Sequence, residues 1–286
     1  MRYIILLLLI GNSFASDKVV YGEDNRKDVY EVESFLWLSI TDSTAAMVPK
    51  SKMVIKEGMV HIEGEILKEA EGLCPGEKFE NQKTPAFCSG FLLGERLLIT
   101  AGHCGTKRYC ETNDWVFGMY QKRRTNELTV PIENIYGCKE VIARAQNSST
   151  KEDWAIIELD RRVEGIDHVI VRTEGKVMPG EPLVVIGHPS GLPTKVSPGA
   201  FVRKNEDTYF FEANCDTFGG NSGSAVFNAN TGIVEGILVR GEIDYESDTV
   251  DGKKCSRVKK CKMNECRGED IQKIPPIVKY LQTGDY

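Results

Sequence analysis

Leu98-Ile-Thr-Ala-Gly-His103-Cys104 is an apolar run that reads as a strand, entering a turn of small residues that ends on a histidine. Two further stretches share this construction. Glu152-Asp153-Trp154-Ala-Ile-Ile-Glu-Leu159 sets an aspartate just ahead of an apolar strand, and Phe218-Gly219-Gly220-Asn221-Ser222-Gly223-Ser224 sets a serine inside a glycine-rich turn. The three residue types complement one another. A serine hydroxyl is a poor nucleophile until a neighbouring imidazole takes its proton, and that imidazole needs a carboxylate on its other nitrogen to fix its tautomer. Glycines beside the serine leave backbone N–H groups unshielded, so two can face a developing oxyanion. Each stretch alone is a weak signal. Together, in the order His, Asp, Ser and at strand ends, they single out His103, Asp153 and Ser222. Ser224 and Ser190 are the rival serines, and Ser190 lacks the surrounding glycines.

Outward from these stretches, short apolar runs bounded by Gly, Pro, Asn or Asp recur, among them Phe35–Ile40, Met59–Ile66, Val116–Tyr120, Val169–Arg172, Leu183–Gly187, Thr208–Glu212 and Ile233–Val239. Their lengths and punctuation read as strands, and many short strands indicate a barrel or sandwich. The clearest helix is Ile274–Leu281, with Pro275 and Pro276 suited to a first turn. Of the 286 residues, 41% are hydrophobic and 27% charged, the balance of a globular chain. A net charge of −6 excludes a blanket electrostatic grip on nucleic acid or anionic lipid. Nine cysteines point to an oxidising compartment. Residues 1–15 (Arg2, the apolar run Tyr3–Ile10, then small Ser13 and Ala15) read as a signal peptide, and the run is too short for the ~20 apolar residues of a membrane span. The mature chain, 16–286, is therefore expected as a secreted or periplasmic protein. The basic run Asp251–Lys262 reads as a solvated loop, and His61, His168 and His188 as surface or structural histidines.

Thr100-Ala-Gly-His-Cys104, Asp153-Trp-Ala-Ile156 and Gly220-Asn-Ser-Gly-Ser224 resemble the three signature blocks of the trypsin-like (chymotrypsin-fold) serine peptidases. Gly220-Asn-Ser-Gly-Ser224, with Tyr21-Gly-Glu-Asp-Asn-Arg26, is most similar to the bacterial branch that includes the glutamyl endopeptidases. The resemblance runs from about Val20 to Arg240. It implies an all-β fold of two antiparallel six-stranded barrels, roughly 20–145 and 146–286, with the active site between them. It implies a serine endopeptidase with His103 as general base, Asp153 as its orienting carboxylate, Ser222 as nucleophile, and the N–H groups of Gly220 and Ser222 as oxyanion hole. A protein or peptide substrate and a monomer are expected, without cofactor, metal, nucleic acid or membrane. Zinc is disfavoured because C-x5-C-x4-C is not zinc-site spacing.

The family also implies a Cys88–Cys104 disulfide pinning the histidine loop, worth ~3 kcal/mol in the chain-entropy account. Cys110–Cys138 and a bridge within 255–266 are further expectations, and with nine cysteines at least one stays outside any internal pair. Animal members carry Asp before the nucleophile, where it pairs with a new terminal amine. Asn221 is uncharged, so that ion pair is missing, while a trim after Lys18 would still expose Val19. Asp216 lies six residues before Ser222, where trypsin places the floor of its specificity pocket. Either it attracts Lys or Arg substrates, the reading we adopt, or it is a turn residue. Arg240, at the strand edge bordering that pocket, either neutralises Asp216 or favours acidic substrates. A reading of another class is a catalytically silent relative that binds a partner through its cleft or through Lys253–Lys262. The retention of His, Asp and Ser argues against it.

Overall fold

The computed structural model describes residues 19–283. The expected signal peptide lies outside the described residues. Two rings of six antiparallel strands form the frame of the described residues. The first contains β1 (Thr44–Pro49), β2 (Cys88–Leu92), β3 (Leu97–Thr100), β4 (Asn113–Phe117), β5 (Ile135–Gln146) and β6 (Asp153–Leu159), closed in the order β5-β6-β3-β2-β1-β4. The second contains β7 (Pro182–Gly187), β8 (Lys195–Lys204), β9 (Phe210–Ala213), β10 (Ala225–Asn228), β11 (Val234–Arg240) and β12 (Glu269–Lys273). Its order is β7-β10-β11-β12-β9-β8, and a β7–β8 pairing closes it. The expected division near 145/146 falls inside the β5–β6 hairpin. Because β6 completes the first ring, the chain crosses to the second only after Leu159.

Alternation along the second-ring strands explains how the rings meet. Leu183, Val185, Val226 and Leu238 fill one cluster with Val202 and Ile271. Their neighbours Val184, Ile186, Phe227 and Ile237 face the other way, into a cluster shared with Leu98, Ile99 and Ile156 of the first ring. Side chains alternate across a strand, so strands buried on both faces give continuous apolar runs. The C-terminal helix, Pro275–Thr283, adds Ile277 and Val278 to the same shared core.

Three local readings change. Phe35–Ile40 is not a strand but the body of a helix, Phe35–Thr41, in which Trp37 and Ile40, three apart, pack on the core while Phe35 is exposed. A six-residue run with five apolar side chains fits either period, and packing chooses between them. Val169–Arg172 contributes a single bridge residue, Val171, instead of a strand. The basic run is ordered: Lys253–Val258 pairs with Tyr245–Val250 in a hairpin. None of the helices among the described residues is long and apolar enough to cross a membrane.

Candidate active site

Register brings the histidine and aspartate together. Ala155 pairs with Thr100, so Asp153, two residues earlier on β6, lies beside the loop that leaves β3 at Thr100 and carries His103. That loop is tight: Cys104 and Gly105 both donate backbone hydrogen bonds to the Ala101 carbonyl, and a Cys88–Cys104 disulfide staples it to β2. Gly102 permits the approach, since a Cβ there would lie 2.0 Å from the Ala145 carbonyl and 2.9 Å from Asp153 Oδ1. The carboxylate of Asp153 holds one residue twice. Its Oδ1 accepts the His103 backbone N–H at 2.9 Å, and its Oδ2 lies 2.9 Å from Nδ1 of the same imidazole. Burial works against the charge on Asp153, but the hydrogen bonds and charge of His103, with a smaller contribution from Arg240, hold its carboxyl below the usual range. An ionised carboxylate only accepts, so Nδ1 carries the proton and Nε2 is left as a base.

The serine turn is fixed from both rings. The Ser222 carbonyl accepts the Ser89 N–H at 2.8 Å, and Ser89 Oγ donates to the Gly220 carbonyl at 2.8 Å. Gly223 donates to the Leu238 carbonyl, and Ser224 Oγ donates to Asn221 Oδ1 at 3.1 Å, so Ser224 is occupied inside the turn. Gly220 sits at φ +89°, and a Cβ there would come within 2.5 Å of the His188 carbonyl. The Gly219 carbonyl accepts from Ser190 N–H at 2.5 Å. Across the planar peptide the Gly220 N–H therefore points the opposite way, away from Ser190. Asp244 Oδ2 accepts the Gly219 N–H at 2.8 Å from the other flank.

Several of these supports escape a motif reading. Ser89 is wholly buried and also accepts the His188 N–H on Oγ at 3.0 Å, so one hydroxyl ties β2, the serine turn and the loop after β7. Its one sequence signal is its place just after Cys88. Ser190 has a left-handed φ of 51° and its Oγ lies 2.7 Å from the Tyr245 hydroxyl, a supporting role in place of a nucleophilic one. His188 is buried with Nδ1 3.0 Å from the Leu192 carbonyl, and burial pushes its pKa down to about 4, the behaviour of a structural histidine.

The two residues expected at the pocket have other partners in the structure. Asp216 Oδ1 accepts the Tyr21 N–H at 2.7 Å and Oδ2 the Asn25 N–H at 2.9 Å, so both oxygens anchor the N-terminal segment. Burial pushes its pKa up to about 7 despite those two hydrogen bonds. Arg240 does not neutralise it. Arg240 Nε donates to Asp270 Oδ2 at 2.9 Å, and Nη1 lies 3.7 Å from Asp153 Oδ2.

Cys88, His103 and Cys104 come close enough to suggest a metal site, but the disulfide consumes both sulfurs and thiolates are what metals bind. The bridges Cys110–Cys138 and Cys261–Cys266 match expectation, Cys74–Cys255 was not foreseen, and buried Cys215 takes part in none of the four.

Residues 88–237 match the trypsin-like peptidase domain family. The chain belongs to the trypsin-like peptidases. This trypsin-like peptidase is similar in fold to a Glu endopeptidase structure (TM-score 0.52, 17% identity, 93% of this chain and 99% of that one). It is also similar to the Vibrio cholerae VesB protease (TM-score 0.56, 13% identity, 91% of this chain and 67% of that one). A serine endoprotease from Yersinia pestis aligns with TM-score 0.50 at 10% identity over 88% of this chain and 67% of that one. At such identities the likeness concerns the fold alone. No curated protein matches the sequence.

Proposed function

We propose that this trypsin-like peptidase is an exported serine endopeptidase that cleaves internal peptide bonds through an acyl-enzyme on Ser222, acting as a monomer without cofactor or metal. The observation that carries the reading is the double hold of Asp153 on His103, by backbone N–H and by Nδ1, each at 2.9 Å. It leaves Nε2 as the proton acceptor. In the first step Ser222 Oγ bonds to the substrate carbonyl carbon while its proton passes to His103 Nε2. The N–H groups of Gly220 and Ser222 receive the oxyanion; loss of one such donor typically costs about 100- to 1000-fold in turnover. Collapse breaks the C–N bond, and the imidazolium gives its proton to the leaving amine. Water then attacks the ester with His103 again as base, releasing the acid and restoring Ser222. Export is supported by four disulfides, which persist in oxidising compartments.

Incubation with a mixed peptide library tests this reading. Cleavage at internal bonds by the parent protein, with none from Ser222→Ala of equal folded content, is expected. Equal cleavage by Ser222→Ala would remove the nucleophile, and release of terminal residues only would remove the endopeptidase assignment.

A further inference from the structure

Arg240 ends β11 opposite Asp270 of β12, where Nε donates to Asp270 Oδ2 at 2.9 Å. Its other two nitrogens cross to the first ring. Nη2 donates to the Lys151 carbonyl at 2.5 Å, and Nη1 lies 3.7 Å from the same Asp153 oxygen that holds His103 Nδ1. One rigid fork thus spans both rings at the point where they share a site. Arg suits this task because its planar guanidinium offers fixed, divergent donors, whereas a lysine offers a single compact charge.

We propose that Arg240 is a positioning residue, which locks the start of β6 against the second ring and holds the Asp153 carboxylate in place for His103. The inference rests on the His103, Asp153, Ser222 reading above. It replaces a role for Arg240 in selecting substrates. Charges around Asp153 set the electrostatic consequence. His103 faces it from the loop after β3, and β12 contributes Gln272, whose Oε1 accepts the Asp153 N–H at 3.1 Å. Asp270 is shared by Arg240 and by Arg267, whose Nη2 lies 2.5 Å from Oδ2. Lys151 precedes β6, and Arg144 of β5 donates to the Gly102 carbonyl. Removing Arg240 subtracts one cation from this group. The surroundings become more negative, an imidazolium there becomes easier to form, and the acid limb of the pH–rate profile moves to higher pH.

Steady-state kinetics from pH 5 to 9 on Arg240→Gln, Arg240→Lys, Asp153→Asn and the double variant decide the question. For Arg240→Gln we expect kcat to fall about tenfold with KM within about twofold, and the acid limb to rise by on the order of half a pH unit. Side-chain preference on the peptide library stays as in the parent. Arg240→Lys recovers part of kcat and the original acid limb. In the Asp153→Asn background the same change costs less than about twofold, because residues acting through one another are not additive. An altered substrate preference with an unmoved acid limb would make Arg240 a specificity residue and overturn the proposal, as would unchanged kinetics. If Asp153→Asn itself left kcat intact, the catalytic reading would have failed first. Counting serine-labelled sites in each preparation separates lost folding from lost turnover.

Discussion

The two walls of the cleft are built by different means. On the first-ring wall, His103 is held by contacts close in sequence or in register: a disulfide from Cys104 to the neighbouring β2, and a carboxylate placed by one β3–β6 pairing. On the second-ring wall, the turn carrying Ser222 has no bridge of its own. Hydrogen bonds donated by Ser89 and Ser190 and one accepted by Asp244 hold it, while the N-terminal segment is tied to Asp216 just upstream. One wall is stapled covalently, and the other is assembled from distant parts of the chain. A local reading finds the first and misses most of the second.

This contrast can be broken experimentally, and the largest effect belongs to the stapled wall. Asp153→Asn should lower kcat by about 10⁴-fold, the loss seen when the orienting carboxylate of a Ser-His-Asp site is neutralised. Far-UV circular dichroism should be unchanged, so a small kinetic effect would show that the carboxylate is not orienting the base. Next comes the staple. Replacing Cys88 and Cys104 together by Ala should cost about 2–5 kcal/mol in denaturant unfolding. An unchanged midpoint would show that the loop is held by its hydrogen bonds alone.

The assembled wall should respond to single buried contacts. Ser89→Ala removes the donor to the part-buried Gly220 carbonyl and the acceptor for the buried His188 N–H. A cost of about 1–3 kcal/mol in stability follows from leaving such groups unpaired. Turnover should fall further than the stability loss explains, because the turn carrying Ser222 loosens. Turnover equal to the parent would place Ser89 outside the site's support.

The smallest effect is a pH slope. Asp216 has its carboxyl raised to about 7 in the folded chain, against about 3.9 when unfolded. Between those values the folded state binds more protons, so the stability Asp216 contributes is complete below pH ~4 and is lost as pH rises through about 7. His188, lowered to about 4, runs oppositely: its contribution is present above its unfolded value near 6.5 and is lost as pH falls through about 4. The two slopes offset each other across the acid range. Asp216→Asn should therefore steepen the loss of stability on acidification, by at most about 1.4 kcal/mol per pH unit. Superimposable thermal-melt profiles for parent and variant would refute this.

What was legible in the sequence follows the same division. His103, Asp153 and Ser222 sit in short motifs whose residue types announce their chemistry, and Cys88 and Cys104 frame one of them. The partners of Asp216 and Arg240 were not legible, because spacing gives a position along the chain but not the partner of a side chain. Asp216 meets Tyr21 and Asn25 from nearly 200 residues away, and Arg240 turns toward the opposite ring. Strands were missed where the apolar signal is diluted: β8 carries Lys195, Pro198 and Lys204, and β1 begins with small Thr44, Ala45 and Ala46. Phe35–Ile40 shows the converse, an apolar run too short to declare its period.

Covalent labelling with an organophosphonate, followed by peptide mass mapping, puts the assignment at greatest risk. A single adduct on Ser222, formed faster as pH rises through the acid limb and abolished in His103→Ala, is the predicted result. Peptide cleavage that persists while Ser222 stays unlabelled, or an adduct on Ser190 or Ser224 instead, would contradict it.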